Sequence, residues 1–463
     1  MTKLTKKVDF KLIIFTLGLI LFSYIAQINL AIALFLIALY AYLKLRKLNI
    51  KNCNLLNLTL LFLTITSAGY FLIRQNFSIY YIPFSVVPML TALLFGNLEI
   101  SLLMTLASSV TLASFSGYPF QTILLSLISG IISGIFVLGA RKRNTIIRAG
   151  LIIAVIQVLT LVTIEHLRLG LSDRYLTLFL NGIISSIIVL GILPVFEYLF
   201  NTTTNISLLE LADFHHPLLQ RMVSEAPGTY HHSLIVGNLS ETACRAVGAN
   251  ALLARIGAYY HDIGKLQKPE YFSENQTKDI SKHGNLAPTM SRLVIMNHVK
   301  EGVELAKKYR LSPSLIDFIQ QHHGNSLVYY FYRRALENIE DDQNVKEEGF
   351  RYPGPKPDSK ETAVVLLADS VEAATRALKD PAPAKIEELA RKIINNKFID
   401  GQLDECELTL KDLEKISAVF IRLLCGMYHN RTSYPEGERI ENNHKKSPKE
   451  NSHLSDKDKK VTP

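Results

Sequence analysis

Twelve of the thirteen histidines lie beyond residue 200, and nine fall between positions 215 and 323. That clustering is the pattern of a metal site rather than of histidines scattered over a surface. In chain order the candidate donors are His232, the adjacent pair His261-Asp262, His298, the adjacent pair His322-His323, and Asp369. Neutral imidazole and carboxylate are the usual ligands of Zn, Fe or Mn, and no thiolate joins them here. A carboxylate has two oxygens and can bridge two ions, whereas an imidazole offers one nitrogen in practice. Asp262 is therefore the natural bridge, and the other six donors could be shared three to each ion. Two divalent ions about 3.5–4 Å apart suit in-line displacement at phosphorus, because they stabilise both the attacking and the leaving oxygen. The His-Asp pair is followed by Ile263-Gly264-Lys265. Gly264 permits close backbone approach, and Lys265 sets a cation where a phosphate oxygen could be met.

Each of these residues has a plainer reading. His261 could be a structural histidine beside a helix-capping Asp262, and His298, His322 and His323 could be polar surface positions. His231 competes with His232. Neighbouring helix positions point about 100° apart, so one of the two faces a given ion and the other is left for substrate. Asp369 follows the apolar run Val364 to Ala368, where an acid is kept only if it is paired. Lys265 is a phosphate contact or a surface lysine. Gln276 and Lys356 are substrate contacts or loop-shaping residues, and His215 and His216 read as linker.

These donors must be held by helices. From about residue 205 the apolar spacing is helical and β-branched alternation is rare. Helices are expected over 207–213, 216–224, 229–248, 250–260, 287–309, 312–323, 327–340, 360–378, 383–398 and 407–427. Residues 341–359 are polar and end in Tyr352-Pro-Gly-Pro-Lys-Pro357, a loop that cannot be helix. Beyond about 431 the chain is rich in Lys, Glu, Asn and Ser, and a disordered charged tail is expected over 431–463. The four cysteines form no CxxC pair and read as reduced thiols.

The motifs themselves carry a family resemblance. They are Gly228-Thr-Tyr-His-His-Ser233, Tyr259-Tyr-His-Asp-Ile-Gly-Lys265, Glu274-Asn-Gln276, Asn297-His-Val-Lys-Glu-Gly302, Gln320-Gln-His-His-Gly324, Tyr352-Pro-Gly-Pro-Lys-Pro357 and Leu367-Ala-Asp-Ser-Val-Glu-Ala373. In this order they resemble the HD-domain phosphohydrolase superfamily. More narrowly they resemble PgpH-type membrane phosphodiesterases, in which a multi-span bundle precedes a cytoplasmic HD domain. The resemblance covers about residues 30–428. It implies hydrolysis of cyclic di-AMP to linear pApA by a hydroxide bridging two divalent metal ions, Fe or Mn. His232, His261, Asp262 and Asp369 would hold one ion, and Asp262, His298, His322 and His323 the other. Asp262 and Lys265 would be catalytic, and His231, Lys265, Gln276 and Lys356 would meet substrate. Relatives place a large extracytoplasmic domain between the first two spans, which are joined almost directly here. That departure bears on what the protein senses, not on hydrolysis. Two other readings stay open. One is HD chemistry on cyclic di-GMP or nucleotides, although Asn325-Ser326 stands after His322-His323-Gly324 in place of the Gly-Tyr-Pro of the cyclic di-GMP branch. The other is a membrane receptor that binds a nucleotide without catalysis.

The first two hundred residues have a different composition. They hold 15 Lys/Arg and 5 Asp/Glu, against 35 and 36 in residues 201–463. The excess of base behind the overall charge of +9 thus lies in the apolar part. The soluble part is not basic, so no nucleic acid polymer is expected as a partner. A membrane-spanning helix needs about 20 mostly apolar residues. Eight stretches qualify, at about 10–28, 29–43, 55–73, 79–96, 98–115, 121–140, 149–167 and 177–199. Pro83 and Pro88 predict a kinked or re-entrant fourth stretch. The basic clusters at 3–11, 44–51 and 141–148 fall on one side if there are eight spans; treating 12–43 as one helix gives seven and separates them. Basic loops stay inside, so eight is preferred, with the soluble part cytoplasmic. Tyr24-Ile-Ala26 lacks a small-x-small cleavage pattern, which favours an anchor over a cleaved signal. Glu99 is expected in a tight cytoplasmic turn and Glu165 near an outer end. Gly130 and Gly134 are expected to pack within the bundle. No charged relay suggests a transporter, although Asn181 and Gln157 could line a polar cleft.

The expectation is an all-α protein of a bacterial-type inner membrane. A bundle over 1–200 precedes an HD-superfamily domain over 201–430. The lipid bilayer and a cyclic dinucleotide are its partners, and a homodimer is left open.

Overall fold

The computed structural model describes residues 55–165, 173–276, 282–284, 286–337 and 345–428. The first two expected spans, the basic clusters at 3–11 and 44–51, and the charged tail lie outside these residues. Among the described residues the fold is all-α, with no strand and one isolated antiparallel bridge between Leu327 and Arg351.

Among the described residues, five helices are long and apolar enough to cross a membrane. They are α1 (Leu55–Arg74), α3 (Leu98–Phe115), α4 (Pro119–Val137), α5 (Arg143–Ile164) and α6 (Asp173–Phe200). The stretch around Pro83 is broken, as its prolines predict. A short 3-10 turn, Ile79–Tyr81, is followed by α2 (Val86–Phe95), whose ten residues are all buried. Ten residues rise about 15 Å, half of a hydrocarbon core. Non-helical backbone at that depth needs partners from protein. Asn181 on α6 supplies them, its Nδ2 donating to Tyr80 O at 2.9 Å and Ile82 O at 2.7 Å. Asn181 therefore holds backbone rather than lining a cleft. Gln157 is buried on α5.

Small residues let these helices close up. A Cβ on Gly130 would stand 2.3 Å from Thr105 Cγ2, and one on Gly134 2.6 Å from Ser101 Oγ, so this pair packs on α3 inside the bundle. Glu99 lies in the first turn of α3, just after the Gly96-Asn97 corner. Glu165 ends α5, where Tyr175 donates to it at 2.5 Å and Arg174 pairs with it at 2.9 Å.

Among the described residues the bundle continues into ten further helices. They are α7 (Asn205–Leu211), α8 (Pro217–Glu225), α9 (Pro227–Ala246), α10 (Ala251–Tyr260) and α11 (Pro288–Lys308). There follow α12 (Pro313–Gln321), α13 (Tyr329–Glu337), α14 (Lys360–Arg376), α15 (Pro383–Ile399) and α16 (Leu410–Tyr428). Each overlaps an expected helix. The last residues of the expected 327–340 helix lie outside the described ones. Proline opens α8, α9, α11, α12 and α15, where its missing N–H costs nothing and its fixed φ suits the first turn. His216 caps α8, its ring accepting from Leu218 N at 3.4 Å. A reciprocal Ser359–Thr362 cap starts α14.

Helix α14 is the centre of the soluble core. Ala363 through Ala368 are wholly buried, against α9, α10 and α15–α16 residues such as Leu239, Ile256, Ile386 and Phe420. Arg143, at the start of α5, pairs with Glu210 on α7 at 2.7 Å. The basic 141–148 segment therefore lies on the side of the bundle that meets the soluble helices. Cys244, Cys406 and Cys425 are unpaired.

Candidate metal centre

The seven expected donors come from five places, each set by local chain chemistry. His232 lies in α9 and is buried. His261 caps the C-terminal end of α10, and Asp262 leads into a 3-10 turn, Ile263–Gln267. His298 sits inside α11. His322 caps α12, with His323 next and Gly324 at φ +54° turning the chain away. Asp369 projects from the buried helix α14. Gly264 brings the His-Asp turn onto α11: a Cβ there would stand 1.8 Å from His298 O and 2.5 Å from Gly302 N. The close backbone approach expected at Gly264 is made to the backbone of α11.

The donors form two groups whose ligating atoms lie within 4.8 Å of one another, Asp262 with His298, His322 and His323, and His232 with His261 and Asp369. Asp262 faces both. Its Oδ1 is 3.4 Å from His298 Nε2 and 3.6 Å from His322 Nε2. Its Oδ2 is 3.1 Å from His261 Nε2 and 3.7 Å from His232 Nε2.

The proton positions follow from the outer ring nitrogens. His261 Nδ1 meets Ala258 O at 2.6 Å, His298 Nδ1 meets Ile295 O at 2.5 Å, and His322 Nδ1 meets Ile319 O at 2.9 Å. A carbonyl only accepts, so these Nδ1 atoms carry the proton and each Nε2 turns a lone pair inward. Two such nitrogens, His298 Nε2 and His322 Nε2, face each other at 3.2 Å. His261 Nε2 and Asp262 Oδ1 are buried without a hydrogen bond among the described residues, and Asp262 Oδ2 has the Lys265 ammonium beside it at 2.8 Å. Buried acceptors converging with so few donors are costly alone and fit a bound cation.

Electrostatics agree. Burial opposes charge on Asp262, yet His261 and Lys265 beside it hold its carboxyl well below the usual range. Asp369 is likewise held low against burial by His232 and His323. Burial pushes His298 down to about 4, and burial with the neighbouring His322 lowers His323. His232 goes the other way. Burial works against its charged form, but hydrogen bonds to Asp369 and Glu372 outweigh it and carry it up to about 9.

Lys265 proves to be neither a surface lysine nor an unengaged cation. Its ammonium stands 2.8 Å from Asp262 Oδ2 and 2.7 Å from Glu274 Oε1, over the Phe272 ring. His231 is exposed and stands outside the two groups. Gln276 Nε2 donates to Glu270 O at 3.1 Å, and Lys356 pairs with Asp404 at 3.2 Å; both contacts are with loop partners. Three residues at the site were not singled out from sequence. Glu274 neutralises Lys265. Tyr352 stacks on His323 with ring centres 4.3 Å apart, and burial raises its hydroxyl pKa. Glu372 meets His232 Nδ1 at 2.5 Å. Its signal was available, because it stands three positions after Asp369 and so shares that helix face.

A family described as "7TM receptor with intracellular HD hydrolase" matches residues 15–204, and the HD domain family matches residues 229–374. Fold and site together define a multi-pass membrane protein carrying an HD domain. Within that class the chain is similar to PgpH proteins. It is 46% identical over 320 residues to the cyclic-di-AMP phosphodiesterase PgpH of Bacillus subtilis (strain 168), covering 68% of this chain and 44% of that protein. It is 38% identical over 375 residues to the protein of the same name from Listeria monocytogenes serotype 1/2a (strain 10403S), covering 79% and 52%. The crystal structure of the L. monocytogenes phosphodiesterase PgpH HD domain in complex with cyclic-di-AMP is 46% identical, covers 47% of this chain and 100% of its own, and gives a TM-score of 0.44. The chain spans about half the length of the curated relatives it matches.

Proposed function

We propose that this chain is a membrane-anchored, metal-dependent phosphodiesterase that hydrolyses cyclic di-AMP to pApA. The observation that carries the reading is Asp262, a buried carboxylate whose two oxygens face two separate groups of imidazole donors. We assign His232, His261, Asp262 and Asp369 to one ion and Asp262, His298, His322 and His323 to the other. Imidazole and carboxylate without thiolate suit Fe or Mn. Bound there, a pair of divalent ions would supply Lewis acidity at phosphorus and water of lowered pKa.

The protein's own residues do the rest. Asp262 ties the two groups together. Lys265 balances its charge and is itself held by Glu274. Phe272 and Tyr352 wall His298 on two sides and limit water there. Tyr352 stays protonated and is a neutral donor beside the donor groups. The choice of adenine rests on the names of the B. subtilis and L. monocytogenes relatives. The side of the membrane rests on the basic 141–148 segment, which lies toward the soluble helices and belongs in the cytoplasm by the positive-inside rule. We divide the chain into the bundle over 1–200, the HD domain over 201–430 and the charged tail beyond.

The test is turnover of cyclic di-AMP and cyclic di-GMP, side by side, by the full chain purified anaerobically and loaded with Mn or Fe. Selective formation of pApA is the expected result. Two bound ions with no turnover of either substrate would replace this reading with that of a nucleotide-binding receptor.

A further inference from the structure

We propose that Glu372 is a positioning residue that fixes the His232 ring as a metal ligand and makes one of the two ion positions depend on a buried carboxylate behind its histidine. The inference rests on the metal-centre reading above.

The four buried histidines of the two donor groups are not supported alike. His261, His298 and His322 each turn Nδ1 to a backbone carbonyl of their own helix. His232 alone among them turns Nδ1 to a carboxylate, Glu372 Oε2 at 2.5 Å, while its Nε2 faces Asp369 Oδ1 at 3.0 Å. Asp369 and Glu372 stand one turn apart on α14, so a single helix grips the ring at both nitrogens. Glu372 is 1% exposed. Its further cation contact is Arg376 Nη1 at 3.5 Å. A charged residue in that position costs desolvation that packing alone does not return. With Glu372 accepting from Nδ1, the proton is fixed there and Nε2 becomes the ligating atom. A carboxylate also makes the imidazole a stronger donor than a carbonyl does, and loss of such partners typically weakens metal affinity 10–100-fold. The effect should be confined to the ion held by His232, His261 and Asp369.

The experiment is Mn(II) binding to the full-length protein, by equilibrium dialysis and titration calorimetry, for wild type, E372A, E372Q and H298A. The wild type should bind two ions. E372A should keep one at wild-type affinity and weaken the other 10–100-fold. E372Q should show a smaller loss, because the amide oxygen still accepts from Nδ1 but carries no charge. H298A should weaken the opposite position. Wild-type affinity at both positions in E372Q overturns the proposal, whether or not E372A folds. A wild type that binds fewer than two ions would instead remove the metal-centre reading beneath it.

Discussion

The bundle and the HD region bury polar groups in opposite ways. In the bundle the buried groups are neutral and their bonds are short in sequence. Thr66, Thr105, Ser108, Thr111, Ser126 and Ser129 each return a hydroxyl to the carbonyl four residues back. Longer-range bonds join the broken segment to its neighbours, from Asn181 to Tyr80 O and Ile82 O, from Ser101 to Pro88 O and from Tyr80 to Gln121. In the HD region the buried groups are titratable and meet across the chain, as His232 meets Glu372 from 140 positions away. Hydroxyls that satisfy themselves let helices approach in lipid without creating charge. Histidines and acids that cannot satisfy themselves create a place for a cation. The chemistry is concentrated where the chain leaves buried charge open.

That contrast can be broken at several points. The largest effect is expected from D262A, which removes the one donor shared by both groups. Turnover should fall by a factor on the order of 10³ or more, and bound metal should drop below two ions per chain. Retained activity with full metal content would end the bridging role. G264A comes next. Its methyl would meet His298 O at 1.8 Å, so thermal melting should show a loss of about 1–3 kcal/mol together with weaker metal binding.

The pH response sharpens the comparison. The His232 value of about 9 lies above its unfolded value of about 6.5. Its contribution is complete below pH 6.5 and is lost as pH rises through 9. His298, at about 4, lies below its unfolded value. Its contribution is complete above pH 6.5 and is lost as pH falls through 4. Metal-free protein should therefore be most stable near pH 6.5. Amide exchange in α14, corrected for intrinsic rates, should show that maximum, whereas α3 should stay flat.

In the bundle, N181A should lower the melting temperature in detergent by the equivalent of about 1–3 kcal/mol, because two buried carbonyls lose their donor. It should leave metal stoichiometry at two. The smallest effect belongs to R143A. The exposed Arg143–Glu210 pair should contribute about 0–1 kcal/mol and fade with salt. A large loss would show that the seam between the regions is held by charge.

What the sequence discloses depends on the range of the physics involved. The helices of the HD region are legible because apolar spacing is local. The break near Pro83 is legible because proline excludes helix locally. The seven candidate donors are legible as a set because residue type alone limits which side chains can hold a divalent ion. That Glu372 supports His232 is a tertiary fact; the spacing after Asp369 shows only that the two acids share a helix face. Gly264 was legible as a close approach, but its partner, the backbone of α11, was not. Loop shaping was one of the two readings open for Gln276 and Lys356, but their partners Glu270 and Asp404 were not legible, because a flexible polar side chain takes whichever partner the fold brings.

Helix α14 has a consequence for how such a protein can change over generations. Asp369 and Glu372 share its turns with Ala363 to Ala368, all wholly buried. A substitution that retunes the ion position from this helix also disturbs the core. The turn after Asp262 leaves the core beyond Leu266, and exposed positions there such as Gln267, Lys268 and Glu270 can vary at less cost to folding. Drift in metal preference or substrate should therefore accumulate at such exposed turn positions, while α14 remains as inherited.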